Sequence, residues 1–394
     1  MIKQETNHSI AIVGAGAMGS GIAQVAAQAG HSVVLFDTKE QALDRSMSEL
    51  SKVANRQVSK GRWTQLQADE LQGRIFRTTE MNDLKGSVLV IEAIVEDFDA
   101  KSSLFQKLEG LVPSSTILAT NTSSLSVTAL AGRLKHPQRL IGLHFFNPAP
   151  LMALVEIVPA LQTDVNIVAQ CQTWMTAWNK SSVIAKDTPG FIVNRLARPF
   201  YGEALRIAEE GQYSIQTIDE AMRAIGFRMG PFQLMDLIGN DVNYAVTCTV
   251  FDAFYFDPRY RPSLIQKQHV DAGWLGKKTN RGYYSYQDDG QVLSTDKQIV
   301  DPQAQRQISD RILSLLINEA ADALRLNIAS AADLEVAMTK GVNYPKGLLK
   351  WGNEWGIAHA LEKLEALQKE YGEERYRPSP LLKHMALRGE QFAV

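Results

Sequence analysis

The fold of the first half of the chain is decided by the stretch Ile10-Ala11-Ile12-Val13-Gly14-Ala15-Gly16-Ala17-Met18-Gly19. Its glycines follow the pattern G-x-G-x-x-G, which is a weak signal alone because glycines cluster in many turns. Here the pattern follows an apolar strand, opens an alanine-rich helix that stops at Gly30, and precedes a second strand that ends in Asp37. This context predicts the first βαβ unit of a Rossmann-type nucleotide-binding domain.

Each residue of this turn has a predicted role toward a dinucleotide. Gly14 makes the tight turn, Gly16 lets the backbone approach the pyrophosphate, and Gly19 lets the helix pack closely on the strand. Ala17 and Met18 open the helix, whose N-terminal N–H groups and dipole stabilise phosphates.

The choice of cofactor depends on Asp37. Its carboxylate would accept hydrogen bonds from the adenosine ribose and repel a 2′-phosphate, so the sequence favours NAD over NADP. Lys39 lies nearby and would tolerate a phosphate. A Rossmann-like turn that binds no nucleotide is the alternative to this prediction.

The pattern of apolar residues predicts an α/β domain followed by a helical one. Short apolar runs alternate with helical patterns from Ser9 to about Lys186, which is typical of a doubly wound parallel sheet covered by helices. The predicted strands are 9–13, 32–36, 87–93, 116–120, 139–145, 154–158 and 183–185. After Pro189 the pattern changes to amphipathic helices with few β-branched runs, so an all-α domain is expected there.

The helical part contains a sequence duplication. The segment 259–263, Arg-Tyr-Arg-Pro-Ser, recurs letter for letter at 375–379, an offset of 116 residues (375 − 259 = 116). The same offset aligns Glu203-Ala204 with Glu319-Ala320 and Ala221-Met222 with Ala337-Met338. Three matches in one register indicate a repeat. The predicted domains are therefore 1–188 for the nucleotide, 189–287 for the substrate, and a second helical copy at 308–394, with a linker over 287–307.

Composition narrows the classes of partner. Lys and Arg number 41 against 43 Asp and Glu, a net charge of -2, so neither nucleic acid nor an anionic membrane is an expected partner. The 2 cysteines are too few for a disulfide framework or a zinc site, and no metal is expected. The polar first eight residues lack a secretory signal, so a cytoplasmic location is expected, and a homo-oligomer stays open.

A histidine and a glutamate form the candidate catalytic pair. His144 closes an apolar strand on the carboxyl edge, where doubly wound sheets hold their sites, and histidine is the natural base near neutral pH. Glu156 lies in the apolar run 154–158, and a buried carboxylate is costly unless it is paired. Paired with His144, it would fix the imidazole tautomer. A core histidine with satisfied hydrogen bonds and an outward-facing glutamate are the alternatives.

Six motifs make the sequence similar to the L-3-hydroxyacyl-CoA dehydrogenases over essentially its whole length. They are VGAGAMG (13–19), EAIVE (92–96), NTSS (121–124), HFFNP (144–148), PGFIVNR (189–195) and LGKK (275–278). The resemblance implies an NAD-dependent oxidation of an L-3-hydroxyacyl-CoA. The subfamily it resembles most is that of bacterial phenylacetate degradation, which acts on 3-hydroxyadipyl-CoA, although this chain is shorter between the helical copies. A 3-hydroxybutyryl-CoA dehydrogenase is the alternative.

The resemblance also implies the roles of individual residues. His144 would be the base and Glu156 its partner, while Ser123 and Asn194 would hydrogen-bond the reacting region of the substrate. A helix N-cap at Ser123 and an inter-domain hydrogen bond at Asn194 are the alternatives.

Further positions match the cofactor and coenzyme A sites of the family. Glu96, Lys101 and Asn121 match positions near the nicotinamide and its ribose, although the two charges alone would suggest a solvated helix start. A basic helix with Lys52, Arg56, Lys60 and Arg62 would lie near the coenzyme A phosphates, with Lys60 ranked first. A charge run of this kind is more often a solvated face.

Two rival interpretations use the same fold. The β-hydroxyacid dehydrogenases use a lysine four residues before an asparagine on the first helix, but here the residue four before Asn194 is Gly190. A non-catalytic NAD-binding protein is expected to lose part of the set His144, Glu156, Ser123 and Asn194, and this chain retains all four.

With the offset of 116, Asn194 falls on Asp310, so the second copy is expected to be catalytically silent and to pack against the first as a second subunit would.

Overall fold

A computed structural model describes residues 9–293 and 301–394. The chain divides into two compact units, of which the first ends at Thr188 and the second begins at Pro189. The first is an α/β unit and the second is helical, which confirms the predicted fold class.

Within residues 9–188, the first unit is built on a sheet of eight strands in the order β3-β2-β1-β4-β5-β6-β7-β8. All neighbouring strands are parallel except β6 and β7, which are antiparallel. The strands are β1 Ser9–Val13, β2 Ser32–Phe36, β3 Ile75–Thr78, β4 Ser87–Glu92, β5 Ile117–Thr120, β6 Leu140–Phe145, β7 Leu154–Pro159 and β8 Ser181–Ile184. The order is that of a Rossmann-type sheet with the strands β7 and β8 added at one edge.

Helices cover this sheet and bury its apolar residues. They are α1 Ala17–Gln28, α2 Glu40–Ser59, α3 Gln65–Gly73, α4 Phe98–Leu111, α5 Val127–Ala131 and α6 Val165–Ala177. The central strands are buried on both faces, and Ile10, Ile12, Leu89 and Ile91 are fully inaccessible to solvent. This explains their continuous apolar sequence.

Two features of the sheet differ from the predictions. The strand β3 is absent from the predicted list because it lies at the edge of the sheet and is partly polar, with Phe76 and Arg77 exposed. The strands β6 and β7 run antiparallel because only residues 146–153 connect them, too few for the crossover helix that a parallel pair requires.

The second unit consists of helices that repeat in order. They are α7 Val193–Leu196, α8 Arg198–Glu209, α9 Ile215–Ala224, α10 Pro231–Ile238, α11 Asn240–Ala253, α12 Leu264–Asp271, α13 Pro302–Arg325, α14 Ala331–Val336, α15 Leu348–Trp355, α16 Ile357–Tyr371 and α17 Pro380–Arg388. A short π-helical segment, Ala337–Gly341, follows α14.

Local contacts show that the two copies share a fold. Asp219 accepts hydrogen bonds from the first backbone N–H groups of α10, and Glu335 does the same at α15. Before the helices that follow, Gly239 and Gly356 adopt nearly identical conformations, with φ of 103° and 100°. The repeat found in the sequence is therefore a repeat of structure.

The predicted linker is too long at its C-terminal end. The helix α13 begins at Pro302, with Asp301 as its N-cap, so residues 302–307 are helical. The prediction missed this start because the segment is rich in Gln and polar, although an Asp-Pro pair is a helix-start signal. The part of the predicted linker at 294–300 lies outside the described residues.

Among the residues that the structure describes, no helix is long and apolar enough to cross a bilayer.

Candidate active site

The first part of the site is a cleft of about 1070 Å³ along the N-terminal end of α1. Gly14, Gly16, Asp37 and Ile94 are among its lining residues. Gly16 is the N-cap of α1 and no side chain caps this helix, so its first N–H groups point toward the cleft without a side-chain acceptor. A helix start of this kind suits a phosphate group, and the residues present therefore fit a dinucleotide.

Two glycines keep the turn in its conformation. Gly14 has φ of +107°, and a Cβ there would lie 2.6 Å from the carbonyl oxygen of Ala93. A Cβ on Gly19 would overlap the carbonyl oxygen of Gly14. Gly16 differs, because a Cβ there would meet no atom within 4 Å. The first and third glycines are therefore required by the packing of the protein, and the second leaves open space.

Asp37 joins the end of β2 to the glycine turn. One carboxylate oxygen accepts a hydrogen bond from the N–H of Ala15 at 2.8 Å, and the other accepts one from the N–H of Lys39 at 2.9 Å. The side chain is held at the rim of the cleft, where the sequence predicts a contact with ribose.

His144 and Glu156 lie directly opposite each other on the antiparallel strands β6 and β7. The distance from His144 Nδ1 to Glu156 Oε2 is 2.6 Å, and the two side chains are 7% and 0% exposed. An ionised carboxylate only accepts hydrogen bonds, so Nδ1 would be the donor of this pair, and a neutral imidazole in that tautomer has its lone pair on Nε2. This arrangement is suited to a general base whose tautomer is fixed by its partner.

Asn121 supports the end of the strand that carries His144. Its Oδ1 atom accepts a hydrogen bond from the backbone N–H of Phe145 at 2.8 Å. Its own N–H donates to the carbonyl of Glu92 at the end of β4. Asn121 therefore fixes the backbone of Phe145, the residue next to His144, and the sequence does not suggest this role.

Glu96 organises the loop that carries Ser123. Its Oε1 atom accepts hydrogen bonds from the hydroxyl of Thr122 at 2.6 Å, the N–H of Ser123 at 2.9 Å and the hydroxyl of Ser124 at 3.0 Å. The following helix, α5, is capped by Ser126. The alternative interpretation of Ser123 as a helix N-cap is therefore wrong.

Lys101 is buried between two carboxylates. Its Nζ atom lies 2.5 Å from Glu92 and 3.2 Å from Glu96, and its side chain is 1% exposed. Glu92 is fully buried and also accepts hydrogen bonds from Thr120 and from the N–H of Ile94. The interpretation of Lys101 as part of a solvated helix start is wrong, and Glu92 is a residue that the sequence reasoning missed.

The charge state of Glu96 follows from these contacts. Partial burial raises its pKa, but the ammonium of Lys101 and the hydrogen bonds from Thr122 and Ser123 lower it by more. The net result is a pKa below the ordinary value of 4.5, so Glu96 accepts its hydrogen bonds as a carboxylate at neutral pH.

A change of Glu96 to glutamine should therefore destabilise the protein in a pH-dependent way. Because the folded pKa is below the unfolded one, the ionised carboxylate stabilises the fold fully above about pH 4.5, and this stabilisation is lost as the pH falls through the folded pKa. Denaturant unfolding of wild type and Glu96→Gln at several pH values measures this difference. Glu70→Gln removes an exposed pair with Arg74 and is the control. A difference that persists unchanged down to pH 3 contradicts the prediction.

The basic segment near the predicted coenzyme A site is only partly helical. The helix α2 ends at Ser59, so Lys60 is its exposed C-cap and Arg62 lies beyond the helix. Gly61 follows this C-cap and precedes Arg62, and its φ of +65° is the left-handed conformation that commonly terminates a helix. The prediction that Arg62 belongs to a basic helix is wrong.

Asn194 lies in the second unit, on the short helix α7, and is half-buried. The turn before it contains two residues with left-handed backbone, Gly190 at φ of +74° and Phe191 at φ of +48°. A Cβ at Gly190 would lie 3.0 Å from the N–H nitrogen of Arg195. A lysine at position 190, as the rival β-hydroxyacid dehydrogenases require, is strongly disfavoured by this backbone.

In residues 9–293 and 301–394, no three His, Cys, Asp or Glu side chains converge on a point where they would hold a metal ion.

Family models match both units. Residues 9–188 match the model "3-hydroxyacyl-CoA dehydrogenase, NAD binding domain", and residues 190–286 and 308–391 match "3-hydroxyacyl-CoA dehydrogenase, C-terminal domain". The C-terminal model thus matches once on each helical copy.

Individual relatives agree with the family models. A 3-hydroxyadipyl-CoA dehydrogenase of Escherichia coli is 38% identical, over 96% of this chain and 97% of that protein. A 3-hydroxybutyryl-CoA dehydrogenase of Mycobacterium tuberculosis is 40% identical, over 70% of this chain and 98% of that protein. A crystal structure of an Escherichia coli protein described as 3-hydroxybutyryl-CoA dehydrogenase has a TM-score of 0.89 and 37% identity, and covers 97% of this chain and 99% of that chain.

Proposed function

The chain belongs to the 3-hydroxyacyl-CoA dehydrogenase family, and on that premise we propose that His144 takes the proton from the 3-hydroxyl group of the substrate, with Glu156 as its orienting partner. The reaction is the NAD-dependent oxidation of a 3-hydroxyacyl-CoA to the 3-ketoacyl-CoA. The observation that carries the proposal is the buried hydrogen bond between Nδ1 and the carboxylate across β6 and β7.

The proposed step divides the work between cofactor and protein. NAD, when bound, supplies the acceptor for the hydride that leaves carbon 3. His144 Nε2 receives the hydroxyl proton, and the negative charge of Glu156 stabilises the imidazolium that results. Because Glu156 is fully buried, its interaction with that cation is weakly screened by water.

Further residues would hold the substrate during this step. Ser123 would hydrogen-bond the reacting oxygen from the loop that Glu96 organises, and its position there is supported by the bond between its N–H and that carboxylate. Asn194 would hold the thioester region, and Lys60 would attract a coenzyme A phosphate from the exposed end of α2. Neutral donors aligned on the oxygen lower the barrier by orientation and by stabilising developing charge.

The proposed substrate is 3-hydroxyadipyl-CoA, in the bacterial degradation of phenylacetate. This is supported by the relative of that name, which matches both helical copies, whereas the 3-hydroxybutyryl-CoA dehydrogenase of Mycobacterium tuberculosis matches only 70% of the chain. The solved Escherichia coli structure is described as a 3-hydroxybutyryl-CoA dehydrogenase, so the shorter substrate is the second candidate.

A comparison of kcat/KM for the two substrates, with NAD in excess, tests this choice. We expect 3-hydroxyadipyl-CoA to be preferred by at least about tenfold, a difference of about 1.4 kcal/mol in transition-state binding. A chain-length series without the terminal carboxylate, up to 3-hydroxyhexanoyl-CoA, separates recognition of the carboxylate from recognition of length. Equal or higher kcat/KM for 3-hydroxybutyryl-CoA would establish the second candidate instead.

A further inference from the structure

Buried ion pairs and hydrogen bonds join the two helical copies, and each copy contributes one carboxylate that binds side chains of the other copy. Glu319, on α13 of the second copy, accepts three hydrogen bonds, and all three donors belong to the first copy. Its Oε1 atom lies 2.6 Å from Nε of Arg195 and 2.6 Å from the hydroxyl of Tyr260, and its Oε2 atom lies 3.5 Å from Arg259. Glu319 and Arg195 are 2% and 1% exposed.

A second network has the same arrangement with the roles of the two copies interchanged. Glu203, on α8 of the first copy, has three partners that all belong to the second copy. Its Oε1 atom lies 2.5 Å from Nε of Arg311 and 2.7 Å from the hydroxyl of Tyr376, and its Oε2 atom lies 3.6 Å from Arg375. Every residue of one network is 116 positions from its counterpart in the other (Glu203 and Glu319, 319 − 203 = 116). Reciprocal contacts of this kind are those of a two-fold interface.

The two networks differ in what lies next to the arginine. Arg195 follows Asn194 directly on α7. Asp322 of the second copy provides it with another carboxylate at 3.4 Å, as Glu210 of the first copy does for Arg311 at 2.7 Å, so the difference lies in the residue that precedes each arginine. Arg311 follows Asp310, whose carboxylate forms an ion pair with Lys363 at 3.4 Å. Where the first copy has the turn at 189–192 followed by α7 and α8, the second copy has the single unbroken helix α13. The second copy therefore lacks the loop that presents Asn194.

We propose that Glu319 of the catalytically silent copy is a positioning residue, which acts through Arg195 to fix the helix that carries Asn194. The second copy is then a required part of the active site and more than a scaffold. This inference rests on the proposed role of Asn194 in holding the substrate. The short helix α7 has one turn, too little to be stable alone, so its orientation depends on such tertiary contacts.

The internal symmetry provides a matched pair of variants, both made in the chain that contains the two copies. Glu319→Gln and Glu203→Gln each remove one buried carboxylate with the same three kinds of partner, and both should lower the melting temperature by similar amounts. Only Glu319→Gln should lower kcat, by about tenfold or more, because it releases Arg195 beside Asn194. The dissociation constant for NAD should be unchanged in both variants. Equal effects of the two changes on kcat, or no effect of Glu319→Gln, would overturn the proposal.

A milder pair applies where a charge change prevents folding. Tyr260→Phe and Tyr376→Phe each remove one hydroxyl donor to the respective carboxylate, and only Tyr260→Phe should lower kcat. If the two tyrosine variants have the same kcat, the proposal fails.

A double-mutant cycle separates this inference from the function on which it rests. If Glu319 acts through Asn194, then Glu319→Gln should have no further effect on kcat in an Asn194→Ala background. Unchanged kcat in Asn194→Ala alone would contradict the proposed role of Asn194 and, with it, this inference. A large loss in Asn194→Ala with additive effects in the double variant would overturn the inference only.

Discussion

His144→Gln is expected to lower kcat by about 10²- to 10⁴-fold, an increase of about 3 to 5 kcal/mol in the barrier. Glutamine has a similar reach and retains a donor toward Glu156, but it cannot accept the proton of the substrate hydroxyl at neutral pH. The cofactor cleft is lined by the glycine turn and the residues around it, and His144 is absent from that lining. The dissociation constant for NAD should therefore change by less than about twofold.

Two further variants test whether the loss of kcat is specific to His144 and its partner. His136→Gln changes an exposed histidine of the same unit and should leave kcat unchanged. Glu156→Gln keeps the shape of the buried partner but removes its charge, so it should lower kcat by less than His144→Gln does. Steady-state kinetics and NAD titration of the three proteins measure these effects. Wild-type turnover in His144→Gln would exclude histidine as the base.

The candidate pair illustrates what an apolar pattern can predict. Glu156 interrupts a strand of apolar residues, and the cost of burying an unpaired carboxylate predicts a partner for it. The same argument applies to Glu92, which ends the apolar strand β4 and is fully buried. It was missed because its partner, Lys101, is on a helix, and the sequence of α4 does not reveal that this lysine faces the sheet. The burial of a charged residue is easier to predict within an apolar strand than for one basic residue on a helix.

The direction of β7 was predictable from spacing, whereas the networks between the helical copies were not. Residues 146–153 are too short for a crossover, so an antiparallel pair was the only connection available. This hairpin is what aligns His144 with Glu156. In contrast, the ion pairs that Glu203 and Glu319 form with the opposite copy depend on how the copies pack. The offset of 116 residues reveals the repeat but does not reveal these contacts between the copies. Sequence repeats predict equal folds, but the partner of each buried charge requires coordinates.

Gly16→Ala is expected to weaken NAD binding by about 10- to 100-fold, a loss of about 1.4 to 2.8 kcal/mol, and to leave the fold intact. A Cβ at this position meets no protein atom within 4 Å, and Gly16 has φ of −73°, which alanine adopts without strain. Because none of the residues that the structure describes would meet the added methyl, we expect it to contact the ligand at the N-terminus of α1. The melting temperature without NAD should remain within about 2 °C of wild type, because no packing is lost.

Gly19→Ala is the control that separates binding from folding, since it places the same methyl group three residues along the same motif. Its Cβ would overlap the carbonyl oxygen of Gly14, so the fold itself should lose about 1 to 3 kcal/mol or more. Fluorescence titration with NAD and thermal unfolding without it, applied to both variants, distinguish the two roles. Gly16→Ala with wild-type NAD affinity would mean that the pyrophosphate does not approach the backbone at this residue. Equal destabilisation by the two changes would instead mean that the open space beside Gly16 is needed for folding.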